Sequence, residues 1–208
     1  MRNGLAGRVL VAGVAAGALA AVALVGTAGA QREERGARAL IRGVDGKVLG
    51  RLALVPQRGG TVSVRIQARG LAPGYHGFHI HGVAACDPRA RNPGGVLTPF
   101  ASAGPHWNPD NVAHGDHPGD FPPLLVTRSG QARAAFTTDR FRIAELFDLD
   151  RSAIIIHAGR DNQANIPPRY LSGPPPARGP DAESRATGDS GARSGCGAIT
   201  LAARPRSR

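Results

Sequence analysis

Short stretches in which apolar and polar residues alternate recur along the chain and predict antiparallel strands. The clearest is Thr61–Ala68, where every second position up to Ile66 is valine or isoleucine and the positions between are polar. A period of two places apolar side chains on one face of a strand and polar side chains on the other. The pattern therefore indicates a sheet with one buried and one solvated face.

Eight such stretches are separated by turn residues, and a short helical turn is predicted over residues 142–149. Short strands with regular turn signals are typical of a β-sandwich or barrel. The chain is therefore expected to be all-β. The predicted strands are Ala39–Val44, Val48–Val55, Thr61–Ala68, Tyr75–His81, Leu124–Arg128, Gln131–Thr138, Ala153–His157 and Gly195–Ala202.

Two long connections interrupt this rhythm. Residues 82–123 are dense in Gly, Pro, Asn, Asp and His without periodicity, and residues 158–192 are rich in proline and poor in apolar residues. Connections of this length in a compact domain are usually functional or disordered. The histidines and the cysteine of the first connection favour a functional loop.

The N-terminus has the organisation of an export signal. Arg2 and Arg8 precede an apolar run over residues 9–25, which is followed by the small-x-small cleavage pattern Ala28-Gly29-Ala30. We therefore predict a signal peptide over residues 1–30 and a secreted or cell-envelope protein. Retention of the run as a membrane anchor is the alternative, because the run is slightly longer than a usual signal core.

Without the signal segment the chain is predicted to form a single domain, large enough for one core and not stably inserted in a membrane. Cys86 and Cys196 are the only two cysteines. Export into an oxidising compartment favours a disulfide between them. The predicted bounds are 31–38 for a flexible lead-in, 39–203 for the domain and 204–208 for a basic tail.

Basic residues dominate the charge of the chain, and nearly all of them are arginines. The formal net charge is +11, and Lys47 is the only lysine. Removal of residues 1–30, with two arginines, leaves about +9. This balance suits an anionic partner or substrate. The arginines are scattered along the sequence and aromatic residues make up only 4% of it, which argues against nucleic-acid binding.

Seven histidines carry the candidate chemistry, and six of them fall between residues 76 and 120. His79 and His81 flank one apolar residue on a predicted strand, so both imidazoles lie on one face and can bind one metal ion. Nitrogen-only donor sets suit Cu(II), whereas histidines with one carboxylate suit tetrahedral Zn²⁺. Two metal sites are therefore predicted. They are an imidazole set that includes His79, His81 and His157, and a mixed set of His106, His114, His117 and Asp120.

Four segments extend this pattern beyond the histidines. They are Gly77-Phe78-His79-Ile80-His81, Gly104-Pro105-His106-Trp107-Asn108-Pro109, His117-Pro118-Gly119-Asp120 and Gly191-Ala192-Arg193-Ser194-Gly195-Cys196-Gly197-Ala198-Ile199. Together they resemble the copper/zinc superoxide dismutase family in its bacterial exported form, over about Ala39 to Ala202. The resemblance implies an eight-stranded Greek-key β-barrel or sandwich with two long functional loops. The implied reaction converts two superoxide anions to oxygen and hydrogen peroxide.

The resemblance also assigns ligands for both metals, with one histidine shared. It implies that His106 bridges the two ions and takes part in catalysis. The implied copper ligands are His79, His81, His106 and His157, and the implied zinc ligands are His106, His114, His117 and Asp120.

Other residues receive supporting roles from the same resemblance. Arg193 matches a catalytic arginine beside the open copper position, where its fixed charge suits an anionic substrate. Asp161 matches a carboxylate that links a copper histidine to a zinc histidine. His76 matches a histidine that braces the backbone without binding metal. Cys86 and Cys196 match the disulfide of the family.

Other readings stay open from the sequence. His114 and His117 are only three positions apart, closer than the matching ligands of many relatives, so a copper-only dismutase is one alternative. An exported copper or zinc buffer on the same scaffold is another, because a fold does not determine a function. Gly188-Asp189-Ser190-Gly191 is similar to the nucleophile segment of trypsin-like serine proteases, but no histidine lies in a matching context. A monomer and a homodimer are both compatible with the sequence.

Overall fold

The computed structural model describes residues 34–203 and confirms the all-β fold. This part of the chain contains ten strands, one short α-helix, α1 (Ala182–Thr187), and three 3-10 helices, Arg58–Gly60, Ala101–Ala103 and Ile143–Phe147. The strands are β1 (Ala37–Gly43), β2 (Val48–Pro56), β3 (Val62–Arg69), β4 (Gly74–His76), β5 (Phe78–His81), β6 (Leu124–Val126), β7 (Gln131–Thr138), β8 (Ala153–His157), β9 (Arg193–Ala198) and β10 (Thr200–Leu201).

The predicted signal peptide, 1–30, and the predicted basic tail, 204–208, lie outside the described residues. Within residues 34–203, the helices are all too short to cross a membrane.

Eight strands form one curled sheet whose order differs from the order of the chain. The path is β5-β8-β9-β1-β2-β3-β7, with β10 paired to β1, and all of these pairs are antiparallel. β4 and β6 form a separate two-stranded ladder. The path joins β5 to β8 and β9 to β1, strands that are distant in sequence, as in a Greek key.

Alternation along the strands builds the main core. In β1, Ala37, Ala39 and Ile41 are buried while the residues between them are exposed, and β3 repeats the pattern. A buried aliphatic side chain contributes about 1.5–3 kcal/mol. A slip of one residue would move every one of these side chains into water, so the apolar positions fix the register of the sheet.

The strands that carry the first histidines are buried on both faces. In β5, Phe78 and Ile80 belong to the main core, so His79 and His81 point to the opposite face. All five residues of β8 are buried as well, and Ile155, on the face opposite the main core, belongs to a second apolar cluster. A strand surrounded in this way needs a cover on its second face, and residues 82–123 provide it.

The long loop 82–123 is joined to the free edge of β5. The Ile80 N–H donates to the Gly119 carbonyl at 3.0 Å, and the Trp107 N–H donates to the Ile80 carbonyl at 2.9 Å. A Cβ atom on Gly119 would lie 2.6 Å from Ile80 Cβ, so only glycine permits this approach. These bonds bring His106 beside His81 and Asp120 beside His79.

A disulfide joins the start of the same loop to β9, as predicted. Cys86 and Cys196 are bonded, with their Cα atoms 5.6 Å apart and 110 positions between them in the sequence. The bridge packs with Phe100 and Ile155 in the second apolar cluster. The loop is therefore held to the sheet at both of its ends.

Several boundaries differ from the prediction. The predicted strand Tyr75–His81 is two strands, because Gly77 leaves the ladder to donate its N–H to the Gly159 carbonyl at 2.8 Å. The predicted last strand, Gly195–Ala202, is likewise two, β9 and β10, and begins earlier, at Arg193. β1 starts at Ala37, inside the predicted flexible lead-in.

Removal of the disulfide is expected to destabilise the fold. A cross-link over so long a segment restricts the unfolded chain, and its loss from natural proteins costs about 2–5 kcal/mol. The Cys86→Ala/Cys196→Ala variant should lose free energy of unfolding in this range, measured by urea denaturation. Chemically reduced wild-type protein is the matched control and should lose a similar amount. Equal stability of the oxidised and reduced proteins would contradict the expectation.

Candidate metal centre

Four histidines from β5, the long loop and β8 meet in one buried group, the four-histidine set. One ring nitrogen from each lies within 4.8 Å of the others. None of the four residues is more than 6% exposed. The members are His79, His81, His106 and His157.

Each strand histidine of this set is oriented by a hydrogen bond from its other ring nitrogen. His81 Nδ1 donates to the Gly104 carbonyl at 2.9 Å and His157 Nδ1 donates to the Gly191 carbonyl at 3.0 Å. His79 Nε2 donates to Asp161 Oδ2 at 2.6 Å. These bonds fix the tautomers and leave the lone pairs of the remaining nitrogens directed into the set.

The ring nitrogens that point into the four-histidine set are suited to binding a metal cation. His81 Nε2 and His157 Nε2 are 3.3 Å apart, and with both protons used elsewhere two lone pairs face each other. His79 Nδ1 and His106 Nε2 are buried and have no hydrogen-bond partner within residues 34–203. Unpartnered buried polar atoms are costly, so a soft or borderline cation such as copper suits this donor set.

Burial keeps three imidazoles of this set in the neutral form that binds metals. Burial, with charge repulsion from His79 and His106, lowers the pKa of His157 to about 3. Burial also lowers the pKa of His106 to about 4, against the opposing effect of Asp120. The pKa of His81 is well below its usual value for the same reason. Neutral imidazole is the ligand form, so the set is prepared for a cation.

A second group, the mixed set, consists of three histidines around one carboxylate. His106 Nδ1 lies 3.1 Å from Asp120 Oδ1, and His114 Nδ1 and His117 Nδ1 lie 3.0 and 3.1 Å from Oδ2. The three-position spacing of His114 and His117 therefore does not prevent either ring from reaching Asp120. Three imidazoles with one carboxylate suit tetrahedral Zn²⁺. The members are His106, His114, His117 and Asp120.

The electrostatics of the mixed set favour a negative carboxylate. Burial opposes the charged form of Asp120, but hydrogen bonds from His106, His114 and His117 outweigh it and hold the pKa of Asp120 far below its usual value. Burial likewise opposes protonation of His114, but Asp120 and Asp161 raise the pKa of His114 to about 9. Zinc binding would displace that proton.

Asp161 connects the two sets. One carboxylate oxygen accepts from His79 Nε2 at 2.6 Å, and the other accepts from His114 Nε2 at 2.8 Å. The Asp161 side chain is 1% exposed. Burial opposes its ionisation, but the bonds from His114 and His79 keep its pKa well below the usual value. A charged carboxylate here fixes the orientation of one ring in each set.

Arg193 lies at the start of β9 and reaches across to the long loop. Its Nη2 donates to the Gly104 carbonyl at 2.6 Å, and its Nη1 donates to the Phe100 carbonyl. The Gly104 carbonyl also accepts from His81, so Arg193 is tied to a histidine of the four-histidine set through one oxygen. Burial lowers the pKa of Arg193, yet a guanidinium stays charged at neutral pH.

Two other residues considered from the sequence lie outside these sets. His76 Nδ1 lies 2.7 Å from the His157 carbonyl oxygen, and Nε2 lies 2.8 Å from the Ala72 carbonyl oxygen. Both ring nitrogens therefore contact backbone carbonyls. Ser190 is fully buried, and its Oγ donates to the Thr187 carbonyl at 3.0 Å. A serine used in this way is not an exposed nucleophile, which argues against the protease interpretation.

The helix α1 is a part of the site that the sequence analysis missed. Gly188 caps its C-terminus at φ 64°, and a Cβ atom there would overlap Asp161 Oδ1 and His114 Nε2. The Asn162 N–H donates to the Gly188 carbonyl at 2.8 Å. The signals were the N-cap Asp181, which accepts from the Ser184 N–H, and the C-terminal glycine.

Comparison with known sequences identifies one family. The family model described as copper/zinc superoxide dismutase (SODC) matches residues 48–199. A Cu-Zn superoxide dismutase of Mycolicibacterium paratuberculosis is 40% identical over 141 residues, covering 67% of this chain and 62% of the relative. That of Mycobacterium tuberculosis is 44% identical over 133 residues, covering 62% of this chain and 54% of the relative. The chain thus spans less than two thirds of the length of these relatives.

Solved structures show the same fold. The Cu/Zn superoxide dismutase from Brucella abortus superposes with a TM-score of 0.59 at 26% identity, over 79% of this chain and 99% of that one. The clock protein EA4 gives a TM-score of 0.60 at 24% identity, over 82% of this chain and 96% of that one, which shows a shared fold alone. Because the family model covers most of the domain that holds both sets, the chain belongs to the copper/zinc superoxide dismutase family.

Proposed function

We propose that this protein is an exported superoxide dismutase that uses copper in the four-histidine set and zinc in the mixed set. It converts two superoxide anions and two protons to oxygen and hydrogen peroxide. The observation that carries the proposal is the four-histidine set itself. One ring nitrogen of each histidine lies within 4.8 Å of the others, and the opposite ring nitrogens contact two backbone carbonyls and two carboxylates.

Copper, when bound, supplies the one-electron redox cycle that oxidises one superoxide and reduces the next. The chain's own residues bind the anion, orient the donors and handle protons. Superoxide carries one negative charge, and Arg193 supplies a fixed positive charge beside the four-histidine set, because its Nη2 donates to the carbonyl that also accepts from His81 Nδ1. An oriented guanidinium attracts and positions such an anion without itself changing protonation.

His106 is the residue common to both sets. Its Nε2 belongs to the four-histidine set and its Nδ1 faces Asp120 at 3.1 Å. Between the two electron transfers, Nε2 is the atom at which a proton can be held for the peroxide product. Asp120 and the rest of the mixed set keep the ring in place while this proton moves. Zinc in that set is therefore structural.

Export is supported by the disulfide and by the N-terminal apolar run. A structural disulfide persists in an oxidising compartment, and Cys86 and Cys196 are bonded. Fractionation of cells that express the full chain tests this part of the proposal. A product beginning at Gln31 in the extracytoplasmic fraction is expected, whereas an unprocessed chain in the cytoplasm would contradict export.

Activity is expected to depend on His157, a member of the four-histidine set, and on Arg193 beside that set. Metal-loaded protein should dismutate superoxide at a rate near the diffusion limit, which falls as ionic strength rises because salt screens the attraction of the anion. His157→Ala should abolish the activity, since it removes a copper donor. Arg193→Ala should lower the rate at least tenfold and weaken its salt dependence, measured by pulse radiolysis.

The control for this experiment is metal content, measured on each variant. Tight copper binding by the wild-type protein without dismutation would contradict the enzyme and favour a metal buffer. An Arg193→Ala variant with full copper and unchanged rate would remove Arg193 from the mechanism while leaving the dismutase proposal intact.

Both metals are expected in protein purified without added zinc, at a copper-to-zinc ratio near one. Asp120→Ala should lower zinc content by at least tenfold because it removes the only carboxylate of the mixed set. Copper content should change far less in this variant. Elemental analysis by mass spectrometry measures both. His76→Gln is the matched control, since the His76 ring nitrogens contact backbone carbonyls and belong to neither metal set. Full copper with no zinc in the wild-type protein would favour a copper-only enzyme.

A further inference from the structure

Arginines that are scattered in the sequence come together on one side of the sheet. The solvent-facing positions of four neighbouring strands, β1, β2, β3 and β7, carry six exposed arginines, and these strands contain no aspartate or glutamate. We call this surface the arginine face. Its members are Arg38, Arg42, Arg51, Arg65, Arg69 and Arg133.

Strand register sets the spacing of these charges. Arg38 in β1 and Arg65 in β3 are both in register with Ala53 of β2, which lies between them. Arg51 in β2 and Arg133 in β7 are likewise both in register with Gln67 of β3, which lies between them. Neighbouring strands are about 4.8 Å apart, so each pair is about 10 Å apart across the sheet. The result is a two-dimensional array of positive charge on an extended surface.

The array has no internal neutralisation among the described residues. None of its six arginines forms an ion pair with a carboxylate there. Asp45, the carboxylate in the turn after β1, pairs with Lys47 at 2.7 Å. Like charges at these distances repel, so the face gains from an anionic partner.

The composition of the face points to phosphate groups spread over a surface. A guanidinium matches phosphate geometry with two parallel hydrogen bonds. Uncharged residues such as Leu40, Ala53 and Gln67 occupy positions between the arginines, and no aromatic side chain is exposed on these strands for bases to stack on. A broad sheet face also lacks the protruding helix or ribbon that enters a nucleic-acid groove. A bilayer instead presents its phosphates over an extended area.

We propose that the arginine face docks the protein onto a membrane surface that contains anionic phospholipids. The chain reaches β1 from the N-terminal segment with its apolar run over residues 9–25, which favours delivery of the domain at a membrane. None of the residues in the four-histidine or mixed sets lies on β1, β2, β3 or β7. Docking is therefore separable from dismutation and does not depend on the proposed activity.

The test compares two variants of equal net charge. Arg38→Gln/Arg51→Gln/Arg65→Gln removes half of the face. Arg151→Gln/Arg169→Gln/Arg178→Gln removes three exposed arginines elsewhere. The chain from Gln31 is used because it contains all of the described residues, 34–203, and its melting is checked in both variants.

Binding is measured by cosedimentation with vesicles of phosphatidylglycerol and phosphatidylcholine. An arginine near an anionic membrane contributes about fivefold to partitioning, so the face variant should bind on the order of a hundredfold more weakly. The control variant should bind within about tenfold of wild type, and salt should release the wild-type protein. Dismutation by the face variant should be unchanged.

Each of the following outcomes would overturn the proposal. The first is equal loss of binding in both variants, since net charge alone would then act. The second is equally strong binding to vesicles of phosphatidylcholine alone, or displacement from anionic vesicles by duplex DNA at equal phosphate concentration. The third is unchanged vesicle binding with lowered dismutation in the face variant, which would assign the face to steering of superoxide.

Discussion

The rest of the structure depends on holding six imidazoles close together in its interior. Burial there opposes the charged form of an imidazole. Among the described residues two carboxylates reach them, Asp120 and Asp161, and each contacts more than one ring. His81 and His157 bond to backbone carbonyls through Nδ1, and His79 Nδ1 and His106 Nε2 keep a free lone pair among the described residues. Such a group is unfavourable in an empty core and favourable around cations. The histidines are His79, His81, His106, His114, His117 and His157.

The long loop is as important to this arrangement as the sheet. It supplies His106 and the whole mixed set, and its Gly104 carbonyl accepts from both His81 and Arg193. The disulfide holds the start of the loop, and its later part pairs with the edge of β5 through Ile80. A long connection is thereby given the rigidity that catalytic positioning requires. The site thus consists of strand and loop in nearly equal parts.

Structural features that depend on a few neighbouring residues were predicted well from the sequence. The period of two identified β3 and β7 almost to the residue, and it set His79 and His81 on one face of β5. Contacts between distant segments were not predictable in this way. The break at Gly77 depends on Gly159, and the role of Gly188 depends on the linked pair of Asp161 and His114. Neither partner is visible in the local sequence, and the same holds for the arginine face, which exists only through strand register.

The two sets close chain segments of very different length. His106 and Asp120 are fourteen positions apart, whereas His81 and His157 are seventy-six apart. The entropy lost on closure grows with the logarithm of segment length, and contacts of low sequence separation form sooner during folding. The mixed set can therefore assemble within the loop before β8 pairs with β5. His106 is then already oriented when the last donor arrives, so the order of assembly follows from where the shared residue lies in the chain.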